Sequence, residues 1–551
     1  MKGSCSRPRS VAAKVQMLMG AIFALAAMDA GAQAPVVGCD AAGIGMASLR
    51  TDDPSPATPK ILSVSTGREG DVPYCLVKIV VPQAINIWVG LPMDGRWNGR
   101  WQSVGGGVYA GTVNVPADAL RAGYAAATTD TGHDGGRLGA LNGSFGMLKP
   151  GQPDMALQRD FAFRSEHLMA VLGKQLVQAF YGTKPQYSYW NGCSTGGRQG
   201  LRMVQDYPQD YDGVLTGAPA IHWDRFQAAM LWYPVLQAHE NGGPIGGGNA
   251  QVLAAKYRLA TDRAVKACDA LDGVEDGVLT DPRRCDYLAA TDSSITRPAC
   301  SAGDAQCLAP AEASVIDKSW SGPVSCPDGA AACKVPAVAS RKLAGKGAVR
   351  LWYGQNRGTD LSTLGGVAPF PVAIEQPRYW VYFDPEWDWR RIDLGRFPAF
   401  FRDSVERVGP VMASDNPDLR GFRKRGGKLV MWHGWSDQLI NARGSIDYYD
   451  RVVDRMGGLK STQQFARLFM APGVGHCAGG PGPQPQRPFD AVVNWVEKGI
   501  APERIPASRT IPGGGIQTRP LCPYPAVARW NGTGSTDDAA SFSCAVPQGR
   551  N

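Results

Sequence analysis

Apolar and polar residues alternate along 75–90 (CLVKIVVPQAINIWVG), a stretch rich in β-branched side chains, and the pattern predicts a strand. Residues 99–111 (GRWQSVGGGVYAG) predict a strand running into a glycine-rich loop, and 122–132 (AGYAAATTDTG) a buried strand and turn. Over 160–182 (DFAFRSEHLMAVLGKQLVQAFYG) apolar positions recur at helical spacing and stop at a glycine, the signature of an amphipathic helix. Residues 187–208 read as strand, tight turn and helix, and 212–219 (DGVLTGAP) as the next short strand. Such alternation predicts an α/β sheet.

The alternation stops between about 223 and 425, where the chain is rich in Cys, Trp and Pro. It resumes with a buried strand and polar loop at 426–437 (GGKLVMWHGWSD), another at 468–480 (LFMAPGVGHCAGG), and an amphipathic helix over 487–499. The expected organisation is an α/β core in two parts, 33–222 and 426–551, interrupted by an insertion at 223–425 that forms a lid over the top of the sheet.

The first residues set the expected compartment. Lys2, Arg7, Arg9 and Lys14 precede an apolar run over 15–28 and then small residues, the layout of a signal peptide covering 1–32. Cleavage after Ala30-Gly31-Ala32 suits better than after Ala32-Gln33-Ala34, which would place Pro35 beside the scissile bond. The run is short for a membrane span, and Val36-Val37-Gly38-Cys39 resembles a lipobox only loosely. The protein is therefore expected to be exported, to the periplasm or beyond, with no membrane association after cleavage. Removing the signal segment leaves 53 basic and 48 acidic residues, near +5, with no long basic block, so nucleic-acid binding has no support.

Export changes how the cysteines read. Thirteen are present, and Cys5 leaves with the signal peptide, so twelve remain for an oxidising compartment. Close pairs are Cys268 with Cys285, Cys300 with Cys307, Cys326 with Cys333, and Cys522 with Cys544. Cys39–Cys75 and Cys193–Cys477 are the simplest completion, although spacing alone does not fix that connectivity.

Gly192-Cys193-Ser194-Thr195-Gly196 is a G-x-S-x-G pattern, weak alone in a chain with 68 glycines. Its place between a predicted strand and helix strengthens it, because that sharp turn lifts a serine hydroxyl out of an α/β-hydrolase sheet. The cysteine before Ser194 could be a rival nucleophile, a core filler or half of a disulfide. A serine hydroxyl needs a base. Of six histidines, His476 is the last, sits after an apolar strand and has glycine nearby; Asp437 follows the strand KLVMWHG. Ser194, Asp437 and His476 thus meet the chain order serine, acid, histidine. The oxyanion donors expected are the backbone N–H of Thr195 and one from Gly105-Gly106-Gly107, with Gly106 favoured. His433, four residues before Asp437, is a candidate to contact substrate. The insertion aromatics in WYGQNRG and YWVYFDPEWDWRR could stack on a phenolic ring or fill a core.

Together GCSTGGRQG, WHGWSD and GHC resemble the tannase/feruloyl esterase family, which includes feruloyl esterases, tannases and the hydrolase of mono(2-hydroxyethyl) terephthalate. The resemblance extends through TDTGHDGG (129–136), DFAFRSEH (160–167) and YDGVLTGAPA (211–220). It implies an α/β-hydrolase fold with a large, disulfide-rich, calcium-binding lid, and a serine esterase acting on aromatic-acid esters, feruloyl or galloyl. A terephthalate mono-ester hydrolase and a non-catalytic, calcium-stabilised binding module are the alternatives. It also implies the Cys193–Cys477 bridge beside serine and base, which would bind the two reacting side chains together. Within CDALDGVEDGVLTDPRRC, Asp269, Asp272 and Asp276 cluster with Gly273 and Gly277, the hard-oxygen chemistry Ca²⁺ takes. The resemblance implies that these three side chains, with the carbonyls of Val274 and Val278, hold a structural Ca²⁺.

Overall fold

A computed structural model describes residues 34–52, 58–82, 84–325, 349–511 and 513–547. The expected signal peptide lies outside these residues. So do Cys326 and Cys333, and the bridge expected between Cys326 and Cys333 is therefore not among the disulfides described below. Nine strands form the principal sheet: β1 (Lys60–Glu69), β2 (Val72–Val81), β3 (Ile85–Pro92), β4 (Arg100–Val104), β5 (Ala125–Thr129), β6 (Tyr187–Cys193), β7 (Gly213–Gly217), β8 (Lys428–Gly434) and β9 (Ala466–Ala471). Their order is β1-β2-β3-β5-β4-β6-β7-β8-β9. The first three pair antiparallel and β3 meets β5 antiparallel; from β5 through β9 every neighbour is parallel. The single strand expected over 75–90 is instead two strands of a hairpin, broken after Val81, where Pro82 supplies no N–H to continue the ladder.

Helix α1 (Ser165–Tyr181) follows a π-helical turn at Asp160–Arg164 and ends at Gly182, whose φ of 75° closes the left-handed cap. Helix α2 (Thr195–Asp206) begins directly after Ser194. The parallel strands are buried on both faces. One face packs Trp101 and Trp190 with Leu168, Leu172 and Leu176 of α1. The other packs Tyr189, Val430 and Phe469 against Val492 and Trp495 of the helix Pro488–Lys498. Full burial of such side chains contributes about 1.5–3 kcal/mol each.

Between β7 and β8 the chain leaves the sheet. Among the described residues this stretch is mainly helical, with α3 (Ala250–Cys268) its longest helix and Trp223–Met230, Trp232–Glu240, Pro310–Ser321 and Phe397–Met412 beside it. Its core, built on Trp223, Phe226, Trp232, Trp380, Phe397 and Phe400, also takes in Tyr109, Phe145 and Phe161 from the segments before β6. Trp380 is thus a core side chain, and Trp387 stacks between Tyr382 and Phe400. Helix α4 (Ala442–Arg455) follows β8. Among the described residues no helix is long and apolar enough to cross a membrane.

Candidate active site

Parallel strands present their C-terminal ends on one edge, and the loops there collect side chains distant in sequence. Ser194 follows β6, Asp437 follows β8 and His476 follows β9. Ser194 sits at φ 63°, ψ −124°, a strained backbone for a residue with a Cβ, and its N–H donates to Gly217 O at 2.9 Å. That turn requires small neighbours. A Cβ on Gly192 would lie 2.5 Å from the Gly196 carbonyl, and one on Gly105 would lie 2.5 Å from Gly196 Cα.

The structure brings the three expected residues together. His476 Nε2 lies 2.9 Å from Ser194 Oγ, and His476 Nδ1 lies 2.8 Å from Asp437 Oδ2. Asp437 is sealed from solvent, and its other oxygen accepts the N–H groups of Leu439 and Ile440 at 2.8 Å each. Burial would raise the Asp437 pKa, but the charge of His476 and hydrogen bonds from both neighbouring imidazoles outweigh it and hold the carboxyl well below its usual range. For His476, burial pulls the pKa down; the charge and hydrogen bond of Asp437 outweigh it and leave the imidazole above its ordinary value. Cys193 and Cys477 are joined with Cα atoms 6.0 Å apart, a bridge spanning 284 positions and flanking both Ser194 and His476. Cys39–Cys75, Cys268–Cys285, Cys300–Cys307 and Cys522–Cys544 are also formed. An imidazole held between a hydroxyl and a buried carboxylate can take the hydroxyl proton as its oxygen attacks.

Two expectations are corrected. His433 does not face a substrate. It is fully buried behind Asp437, with Nε2 3.0 Å from Asp437 Oδ2 and 3.1 Å from Ile440 O, and Nδ1 2.8 Å from Ser445 Oγ. Acceptors on two sides of Nε2 place its proton there. The second correction concerns Gly106, whose N–H donates to Gln199 Oε1 at 2.9 Å and so points away from an oxyanion. Among the described residues, the N–H groups of Thr195, Gly107 and Val108 have no protein acceptor. Thr195 Oγ1 donates to Val108 O at 2.6 Å and draws that turn against the start of α2.

Sequence reasoning missed the support behind this loop. Gln199 Nε2 donates to Glu166 Oε1 of α1. Burial pushes the Glu166 carboxyl up to about 7, against the pull of the neighbouring Arg198 charge. Arg198 itself is buried and donates to the carbonyls of Phe161 and Ala162. The other four histidines lie elsewhere: His133 stacks on Phe145, His167 bridges Asp210 and Asp52, His222 lies 3.3 Å from Asp415, and His239 meets Ile392 O.

A cleft of about 970 Å³ is lined by Arg258, Thr261 and Asp262 of α3, Asp360, Gln438 and Gly475; none of Ser194, Asp437 and His476 is in its walls. Near it lies the acidic loop. Asp269 accepts the N–H groups of Gly277 and Val278, and Asp272 that of Val274. Arg519 pairs with Asp276 Oδ2. Burial raises the pKa of both Asp272 and Asp276, and the Asp269 charge adds to it. Val274 and Val278 are buried, and the Cys268–Cys285 bridge closes the loop. Carboxylate and carbonyl oxygens are the donors a hard divalent cation takes. Here, however, both Asp269 oxygens accept backbone N–H groups, Asp276 Oδ2 pairs with Arg519, and the three carboxylates do not converge on one point.

The sequence model described as "Tannase and feruloyl esterase" matches residues 74–545. The chain is 35% identical to a probable feruloyl esterase of Arthroderma benhamiae, covering 84% of this chain and 82% of that protein. It is 31% identical to a mono(2-hydroxyethyl) terephthalate hydrolase of Piscinibacter sakaiensis, covering 83% and 81%. The crystal structure of feruloyl esterase B from Aspergillus oryzae superposes with a TM-score of 0.74 at 25% identity, covering 90% of this chain and 98% of that one. The fold is that of the α/β hydrolases. By sequence and fold alike, the chain belongs to the tannase and feruloyl esterase family and is a carboxylic ester hydrolase.

Proposed function

We propose that the protein is an exported serine esterase that hydrolyses feruloyl, other hydroxycinnamoyl or galloyl esters through an acyl-enzyme. The observation that supports this most is the continuous hydrogen-bonded series from Ser194 Oγ through His476 to Asp437. Ser194 Oγ attacks the ester carbonyl carbon while His476 Nε2 takes the hydroxyl proton. The charge that develops on the carbonyl oxygen meets the Thr195 N–H and an N–H of the Gly107–Val108 turn. His476 returns the proton to the leaving alkoxide, and the alcohol departs. Water then attacks the acyl carbon, gives a proton to His476, and the aromatic acid leaves as Ser194 regains its hydrogen. Asp437 keeps Nδ1 protonated and stabilises the imidazolium throughout.

The segment between β7 and β8 acts as a lid, a reading supported by two ties to the Asp437 loop. Asn356 Nδ2 donates to Trp435 O at 2.9 Å, and Asn441 Nδ2 donates to Gly354 O. The five disulfides among the described residues fit an oxidising compartment, and a sixth between Cys326 and Cys333 would complete the pairing of the twelve cysteines that follow the signal segment.

A Ca²⁺ held by Asp269, Asp272 and Asp276 with the carbonyls of Val274 and Val278 would fasten the end of α3, a structural role. Chelation should lower the melting temperature and added Ca²⁺ restore it, with Asp272→Asn insensitive to both; a chelator-insensitive wild type would remove the cation from this account.

The deciding experiment measures acid release from methyl ferulate, methyl gallate and a terephthalate half-ester. Ser194→Ala should lose at least about 10³-fold in kcat with its melting curve unchanged. An active Ser194→Ala protein would end the assignment, and the relative wild-type rates identify the acyl group, including the terephthaloyl group of the Piscinibacter relative.

A further inference from the structure

A second cavity, of about 730 Å³, lies along α4 and contains none of Ser194, Asp437 and His476 in its walls. Arg443, Arg350, Arg283, Trp352, Tyr353 and Tyr524 are among the residues that line it. Arg443, in the first turn of α4, is 6% exposed, yet its guanidinium has no acceptor among the described residues, and its Nε is buried and unbonded. Arg350 Nη2 is likewise buried without a partner among the described residues. Burial, then the charges of Arg350, Arg283 and Arg357, bring the Arg443 pKa down to about 9, and burial also lowers that of Arg350.

Of the carboxylates on the same walls, Asp415, Asp447 and Asp450 have interactions of their own. Asp415 pairs with Arg451 at 3.2 Å and with His222 at 3.3 Å. Asp447 accepts from Tyr353 Oη at 3.4 Å and pairs with Arg451 at 3.3 Å, while Asp281, outside the cavity walls, holds Arg283. Asp454 is exposed. The cationic end is therefore short of anions. A buried, unpaired guanidinium is costly, and like charges around it raise that cost. The positive end of the 14-residue helix adds to the field at the same place.

We propose that this cavity is an anion site, in which Arg443 and Arg350 take the oxygens of a small carboxylate, phosphate or sulfate. Guanidinium forks suit each of these planar or tetrahedral oxyanions. The rings of Trp352 and Tyr353 leave an apolar wall for any aromatic part of the ligand, and the volume is that of a small-molecule pocket. The site is separate from ester cleavage and does not depend on which ester is cut.

The test is calorimetric titration of the full-length protein at low ionic strength with inorganic phosphate, sulfate and benzoate. One saturable site is expected for at least one of them. Phosphate and sulfate binding without benzoate would identify an inorganic oxyanion, and benzoate binding an organic acid. Arg443→Met and Arg350→Gln should each weaken binding at least tenfold, with the Arg443→Met melting temperature unchanged or higher because a repelling charge is gone. Arg425→Gln, on a remote exposed arginine paired with Asp212, should leave it unaltered. Should Arg443→Met fail to fold, Arg350→Gln decides alone. No saturable binding to any of the three anions, or undiminished affinity in the folded variants, would overturn the proposal.

Discussion

The Nε2 of His433 lies 3.0 Å from Asp437 Oδ2, the same oxygen that holds His476 Nδ1 at 2.8 Å. One carboxylate oxygen therefore accepts from two imidazoles, while the other accepts from two backbone N–H groups. A buried carboxylate with four donors is fixed in both position and charge. His433 acts on the site through Asp437 alone. Removing a hydrogen bond to a charged group costs about 1.5–3 kcal/mol, so His433→Leu should lower kcat by about 10- to 100-fold. KM should stay near the wild-type value, because His433 lies behind the carboxylate. A large rise in KM with kcat preserved would mean that His433 contributes to substrate binding after all.

The balance at His476 predicts a pH profile. The imidazole must be neutral to accept the Ser194 proton, so activity falls as pH drops through its pKa. Asp437 lifts that pKa above the ordinary 6.5, which places the acid limb of kcat/KM above that value. Asp437→Asn removes the lifting charge and leaves burial, which works in the opposite direction. The limb should move to lower pH, with kcat reduced roughly 10⁴-fold by loss of tautomer control. Rates measured from pH 4 to 9 check both, and a limb that stays or rises in Asp437→Asn would contradict this balance.

Ser194, Asp437 and His476 were legible because each stands just past an apolar run, and parallel strands gather such positions at one edge of a sheet. The role of His433 was not. Only the turn after β8 folds it back onto a side chain four residues later. Gly106 was misread for a related reason: its acceptor, Gln199, is 93 positions away and on a different element. The helix Trp223–Met230 escaped notice since it is buried nearly all round and so lacks the polar face that makes periodicity visible. Strand β1 escaped for the opposite reason, being an edge strand with no buried residue.

The Cys193–Cys477 bridge gives a prediction about position as much as stability. Closing a loop of 284 positions contributes at most ~5–6 kcal/mol in the chain-entropy account, and any strain reduces it. The double variant Cys193→Ala/Cys477→Ala should therefore melt at a lower temperature. It should also lose kcat well below its melting range, because Ser194 and His476 are no longer anchored to each other. Cys39→Ala/Cys75→Ala, at the far side of the sheet, is the control: it should lower stability and leave kcat near the wild-type value. Equal kcat in both double variants at 25 °C would show that the bridge does not set the geometry of the two side chains.

Gln199 offers the most specific test of how the loop beside Ser194 is held. Its side-chain oxygen accepts the Gly106 N–H while its amide donates to the buried Glu166, so one residue ties the glycine-rich loop to α1. The N–H groups one and two residues further on have no protein acceptor among the described residues, and their direction depends on where Gly106 is fixed. Gln199→Leu keeps the volume roughly and removes both hydrogen bonds. Donors aimed at a developing oxyanion act chiefly in the transition state, so kcat should fall by about 10- to 100-fold with KM little changed. The same variant should still react with a fluorophosphonate, more slowly, since Ser194 and His476 keep their own supports. If KM rose in proportion while kcat held, the loop would serve ground-state binding, and the N–H groups of Gly107 and Val108 would have no part in stabilising the oxyanion.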